Sequence, residues 1–201
     1  TPVVWQTLVW IMARAWRDKY GMRLICFVDD FGILCKPEQR EELVAFVLRE
    51  FEQHGLLVQA RKCDTSGNAR KLLGIGIDIP RMRFFVPPKK KLKIMAGVDE
   101  LLLARRSGTE VRLRTLAKTC GRLMATLVAV GPVVRQMTRM IYSFIAVRIH
   151  VDPDATRRQL KVAWDLFAVL DENVERELLF WVWLLPDHEG GPIRLLTIIP
   201  S

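Results

Sequence analysis

Metal-ligating side chains are sparse in this chain, whose 201 residues include three histidines and four cysteines. The cysteines, at 26, 35, 63 and 120, form no Cys-x-x-Cys pair and have no histidine nearby at ligand spacing, which argues against zinc. Nor do they read as a disulfide framework: two lie in a short apolar stretch, where buried thiols behave as small hydrophobes. An intracellular, reducing compartment is the expectation, whether nucleus, cytoplasm or an organelle. Apolar runs are short too, none approaching the ~20 residues that cross a bilayer. Residues 1–22 carry Gln6, Arg14, Arg17, Asp18 and Lys19 and lack the layout of a signal peptide. His54, His150 and His188 stand singly at expected helix ends and loops, where capping or solvation is their natural role.

Acidic residues are locally scarce. Residues 80–150 hold 3 Asp+Glu against 15 Lys+Arg, a local charge of +12 in a chain of net charge +9. The remainder carries 16 basic and 19 acidic residues, or −3. A basic middle beside a mildly acidic rest points to a polyanion-facing surface, although ribosomal or membrane-surface contact would carry the same charge. Half of the residues are hydrophobic and 26% charged, so the chain is globular and has ample material for a core.

Trp5, Leu8, Val9, Met12 and Trp16 follow helical spacing and predict a helix over 3–20 that ends before Gly21. An apolar–acidic–apolar run at 23–35 predicts a β-hairpin. Pro37-Glu38 opens a helix with Leu43, Phe46, Val47 and Phe51 on one face, stopped by Gly55. Leu56-Leu57-Val58 reads as a short strand and Asp64–Asn68 as a turn. A second hairpin is expected from Leu72–Ile79 and Arg83–Val86. From Pro87 onward the pattern is helical: a helix from Pro87-Pro88 to about Arg106; one capped by Thr109, with Glu110 in its first turn, running to about Val130; another over 133–149. Asp152-Pro153-Asp154 is a break, helices are expected at 155–171 and 173–185, and the end is loop or edge strand. Trp164, Trp181 and Trp183 are expected to pack this helical half. The fold class is α+β.

Two features carry chemistry. Phe27-Val28-Asp29-Asp30 places Asp29 and Asp30 side by side at the hairpin turn. Paired carboxylates suit hard cations such as Mg²⁺, and nucleotidyl transfer uses two such ions, but Asp-Asp also suits a solvated turn. In the helix at 110–130, Leu113, Leu116, Cys120, Leu123 and Leu127 share one side, and Arg114, Lys118 and Arg122 lie opposite. A solvated face is one reading. A stripe of a single sign, without the opposite charges that exposed helices use for i,i+4 pairing, also fits a phosphate backbone.

The order of these elements resembles the palm and thumb of a reverse transcriptase. Phe27-Val28-Asp29-Asp30 matches that family's motif C. Thr1-Pro2 with Trp5 looks like the tail of motif B, Arg61-Lys62-Cys63 is similar to motif D, and Leu72-Leu73-Gly74 looks like motif E, the primer grip. Pro87-Pro88-Lys89, Thr115-Leu116-Ala117 with Gly121-Arg122-Leu123, Glu177–Trp181 and Gly190-Gly191-Pro192-Ile193 follow the order of DIRS-type retrotransposons, so the resemblance spans about residues 1–194. It implies a partial palm of antiparallel hairpins with helices over 1–86, a basic helical thumb over 87–150, and a helical connection over 151–201 that would lead into an RNase H domain.

The resemblance further implies Asp29 and Asp30 as catalytic, Mg²⁺-binding carboxylates and Lys62 near the incoming triphosphate, although Lys62 also reads as a surface lysine. Leu73 and Gly74 would hold the primer end, with Lys89, Lys90, Lys91, Arg114, Lys118 and Arg122 on the nucleic-acid backbone. Motif A, which supplies a third carboxylate, and the RNase H domain are not among these 201 residues. The two-metal site is therefore incomplete, and these residues are not expected to polymerise on their own. Two readings follow. One is part of an RNA-directed DNA polymerase that binds RNA or an RNA/DNA hybrid, its palm completed by other protein. The other is a domesticated, non-catalytic remnant that binds or scaffolds within a ribonucleoprotein. A membrane partner is expected in neither.

Overall fold

The helical spacing of the first twenty residues is realised as α1 (Pro2–Tyr20), which buries Val9, Met12, Ala13 and Trp16. Leu8 lies on its exposed side with Trp10 and Ile11. The computed structural model describes residues 2–27, 30–59, 63, 69–149 and 162–193. They mix helix and sheet in two compact units, Thr1–Leu73 and Gly74–Ser201.

In the first unit, β1 (Arg23–Phe27) and β2 (Asp30–Leu34) form the expected antiparallel hairpin, with Arg23 opposite Leu34 and Phe27 opposite Asp30. Alternation along the strands turns Leu24, Cys26, Phe31 and Ile33 toward the core. After a 3₁₀ turn at Pro37–Gln39, α2 (Arg40–Gln53) buries Val47 and Phe51 on the same core. Trp16 lies at its centre, 5.4 Å from Phe51 and 6.1 Å from Phe31 between ring centroids, and its indole donates to Glu50 at 3.2 Å. The Trp16–Phe51 pair is edge-to-face, an arrangement that contributes about 0.5–1.5 kcal/mol beyond burial. Leu56-Leu57-Val58 does not form the expected strand. Leu57 is fully exposed, and among the described residues nothing pairs with this segment. The turn expected at 64–68 lies outside the described residues. β3 (Ala69–Leu72) closes the unit.

In the second unit, β4 (Ile75–Asp78) and β5 (Arg83–Phe85) form a hairpin through Pro80-Arg81, with Gly76 opposite Phe85. The expected strand from Leu72 is interrupted because Leu73 and Gly74 both take positive φ, +51° and +76°. α3 (Pro88–Arg106) starts at its proline pair as expected. The following helix does not start at Thr109. Val111–Arg112 is strand β6, paired with β7 (Phe167–Ala168), and α4 (Leu113–Met124) begins only after it. That pairing removes Glu110 from the first turn, a case of tertiary contact overriding a local cap.

Two of the expected long helices are broken into shorter pieces, whereas the one expected at 173–185 forms at Glu172–Leu184. α4 stops at Met124, where the buried Thr126 hydroxyl donates to the Leu123 carbonyl at 2.6 Å, and α5 is Leu127–Val130. The helix expected over 133–149 is split into α6 (Val133–Gln136) and α7 (Arg139–Arg148). The stretch 155–171 is not one helix, since β7 lies inside it; residues 150–161, with the Asp152-Pro153-Asp154 break, lie outside the described residues. α8 (Glu172–Leu184) is capped by Asp171, whose carboxylate accepts the Val174 amide at 2.9 Å. β8 (Gly191–Pro192) then adds an edge strand to β5. The helical half is therefore not all-helical.

The core of this unit is formed by α3, α4, α7 and α8, centred on Ile94, Leu101, Leu116, Leu123, Ile141, Leu178 and Trp181. Of the three tryptophans expected to pack it, Trp181 is fully buried and Trp164 partly so, whereas Trp183 is 73% exposed. Among the described residues no helix is long and apolar enough to cross a membrane.

Candidate nucleic-acid interface and acidic hairpin

The hairpin of the first unit presents Asp30 at the start of β2, exposed, on the face opposite the core. Gly32 follows two residues later on that same face. A Cβ there would lie 3.1 Å from a methyl of Leu72, so Leu72 of β3 packs directly over the glycine, one alternation from Asp30. Leu34 and Ile25 complete the face and remain more than half exposed. Beneath it, burial pushes the Cys26 thiol up from its ordinary value, an effect offset in part by the Arg17 guanidinium. A cleft lined by Tyr20, Arg23, Leu34, Lys36, Glu42 and Phe46 opens at the strand ends away from Asp30. Asp29 and Lys62 lie outside the described residues.

Asp30 supplies one hard oxygen donor. Among the described residues no group of three or more His, Cys, Asp or Glu could hold a metal ion. The described donors therefore form no complete Mg²⁺ site.

The sequence-predicted basic residues of the second unit divide into two groups. The first is engaged in the fold. Lys90 donates to the Gly74 carbonyl at 3.2 Å and to the Ala125 carbonyl at 3.0 Å, joining the turn before β4 to the end of α4. Lys91 donates to the carbonyls of Pro186 at 3.0 Å and His188 at 2.8 Å. Arg114 makes a two-pronged pair with Asp165, at 2.9 and 3.3 Å. The counter-charge missing from α4's own sequence thus comes from a residue 51 positions away.

The second group faces outward. Lys89 and Lys118 are exposed, and among the described residues neither ammonium is in an ion pair. Arg122 uses one of its five N–H groups on the Lys93 carbonyl at 3.2 Å, which brings α3 beside α4. Gly97 makes that approach possible: a Cβ there would lie 2.8 Å from the Thr119 hydroxyl oxygen. Position 93 meets 122 and position 97 meets 119, so the helices run antiparallel. Lys93 on α3 therefore lies beside Arg122 on α4, with Lys89 one turn further along α3 toward the end of α4 and Lys118 one turn back along α4, near the level of Gly97. Lys93 was not among the residues singled out from sequence. Its i,i+4 spacing from Lys89, the pattern used for α4, was the signal available.

Leu73 is 47% exposed with φ +51°, an unusual backbone conformation for a leucine, and Gly74 beside it is held by Lys90. Behind the basic helices is a buried polar group that sequence reasoning did not assign a role. Both carboxylate oxygens of Glu177 on α8 accept backbone amides at the start of α7, Met140 at 2.8 Å and Ile141 at 3.0 Å. One turn later Trp181 donates to the Met137 carbonyl at 2.8 Å. Cys120 on α4 packs beside them with its thiol hydrogen-bonded to Tyr142; burial raises its pKa to about 12. The Tyr142 hydroxyl is raised as well, chiefly by burial.

Comparisons with protein-family models, with curated proteins and with solved structures return no match.

Proposed function

We propose that this chain binds RNA or an RNA/DNA hybrid through the two-helix ridge of Lys89, Lys93, Lys118 and Arg122. The observation that carries this reading is the ridge itself: four cations on adjoining antiparallel helices, while Lys90, Lys91 and Arg114 are bonded within the fold. Successive cations one helical turn apart, roughly 6 Å, suit successive phosphates of a nucleic-acid backbone. In the wider reading, supported by the resemblance to reverse transcriptases, the first unit is the motif C half of a palm. Asp29 and Asp30 would hold Mg²⁺ together with a carboxylate from outside these residues, Leu73-Gly74 would lie at the primer end, and α3 and α4 would be the thumb.

Binding of the 201-residue chain to a hybrid duplex tests the ridge. Replacing all four cations by Gln should lower the salt slope by about 3, at 0.7–0.9 per lost contact. An unchanged slope would remove the ridge from the interface. For the palm reading, the chain alone should incorporate no nucleotide on a primed template, and incorporation should require a second polypeptide that supplies the missing carboxylate. Incorporation by the chain alone, lost in Asp30→Asn, would refute that. The non-catalytic, scaffolding reading is favoured by one observation: Lys90, Lys91 and Arg114, three of the seven basic site residues predicted from sequence, are built into the fold. Under that reading hybrid binding persists and no added polypeptide restores incorporation.

A further inference from the structure

After α8 the chain folds back as a strap, Pro186–Ile193. Gly191 and Pro192 pair with Phe84 and Arg83 along the edge of β5, and the Ile193 amide donates to the Met82 carbonyl at 2.8 Å. Two glycines allow this close approach. A Cβ on Gly190 would collide with the Phe84 carbonyl, and one on Gly191 would lie 2.8 Å from the Ala129 carbonyl oxygen. Gly190 itself has φ +124°, open only to glycine.

Lys91 holds the carbonyls of Pro186 and His188, Glu189 pairs with Arg83, and an imidazole adds a titratable tie. Nδ1 of His188 accepts the Gly190 amide at 2.9 Å, which leaves the ring proton on Nε2, and the Val130 carbonyl at the end of α5 favours a proton on the ring. Only a ring with a free Nδ1 lone pair can accept that amide. A second proton, taken from solvent onto the Nδ1 lone pair, would point at the Gly190 N–H and break the bond that shapes the strap.

We propose that His188 is an acid-opened latch that holds the strap against β5 at neutral pH and releases it on protonation, freeing the edge of β5. The surrounding charges set the direction. Lys91 of α3, bonded to the carbonyl of His188 itself, opposes a second positive charge. Arg83 of β5 is paired with Asp78 of β4 and with Glu189 of the strap. Asp187 and Glu189 flank the ring along the strap, and α5, Leu127–Val130, has no charged residue. Burial first, with the Lys91 charge, holds the imidazole below its ordinary 6.5, and the Val130 bond opposes this only in part. The latch is therefore closed at neutral pH and opens below pH 6.5.

Amide exchange of the whole chain, measured by NMR at about pH 7.5 and about pH 5.5 and corrected for intrinsic rates, tests the latch. Protection of Gly190 and Ile193 should fall several-fold, up to the limit of about tenfold that one imidazole can supply, on acidification, while Leu101 and Leu178 in the core keep theirs. His188→Asn, whose Oδ1 can accept the Gly190 amide without titrating, should hold protection at both values. Glu189→Gln should retain the wild-type response. In the wild type, the His188 ring titration should share its midpoint with the loss of Ile193 protection. PH-independent protection, the same fall in His188→Asn, a fall shared by the core, or two different midpoints would each overturn the proposal.

Discussion

Glu177 is the most exacting test of the second unit because its carboxylate is only 4% exposed and both of its oxygens are engaged. It satisfies two amides at the start of α7, which otherwise have no partner in their own helix. A hydrogen bond to a charged group contributes about 1.5–3 kcal/mol, and a negative charge at a helix N-terminus adds up to ~2 kcal/mol in partly buried settings. These contributions overlap and do not simply sum. In Glu177→Gln one oxygen survives, but the new amide nitrogen faces a backbone donor, so one bond and the charge are lost. The expected cost is ~2–3 kcal/mol. Glu177→Ala leaves both amides buried without an acceptor and opens a cavity, for about 3–5 kcal/mol.

Urea unfolding followed by far-UV circular dichroism reads the effect as a shift in midpoint at constant slope. Two compact units can give two transitions, and the shift should fall on one of them. Glu172→Gln is the control. It lies on the same helix in an exposed pair with Arg176 and should change stability by less than ~0.5 kcal/mol. If both Glu177 variants matched that control, the carboxylate would not be what holds the start of α7.

Other consequences follow from single contacts. Gly97→Ala should destabilise by about 1–3 kcal/mol despite its better helix propensity, because the new methyl meets the Thr119 hydroxyl; adding Thr119→Ala should recover most of the loss in the same urea assay. The buried Cys120 thiol, raised to about 12 in the folded chain, stays protonated while its unfolded counterpart ionises near 9. Its contribution to stability is thus fully present below pH 9 and lost as pH rises toward 12. Cys120→Ala should flatten that alkaline decline, and a thiol reagent should modify exposed Cys63 well before Cys120. Arg114→Gln alone should leave the salt slope of hybrid binding unchanged and cost no more than ~1 kcal/mol, since its pair with Asp165 is half exposed; a slope reduced by about one unit would return Arg114 to the interface.

The sequence by itself determined the elements whose signal is local. The apolar spacing of Val9, Met12 and Trp16 identified α1, the apolar runs on either side of an acidic turn identified the hairpin, and the proline pair before Lys89 marked the start of α3. It also marked Lys118 and Arg122 as a cationic side, because helical periodicity puts residues four apart on one face. What it could not determine depended on partners distant in the chain. The first turn expected at Glu110 gave way to strand β6 because Phe167–Ala168 supplies a ladder that no local propensity reveals. The helix expected over 133–149 is broken where Glu177 and Trp181, some forty residues later, bond the backbone at 137–141. Likewise the roles of the lysines were decided in three dimensions. Lys90 and Lys91 meet carbonyls of other segments, whereas Lys93 is brought beside Arg122 by the close helix approach that Gly97 permits. Charge counts are a property of sequence, but whether a charge is satisfied internally or faces solvent depends on which backbone groups folding brings within about 3 Å of it.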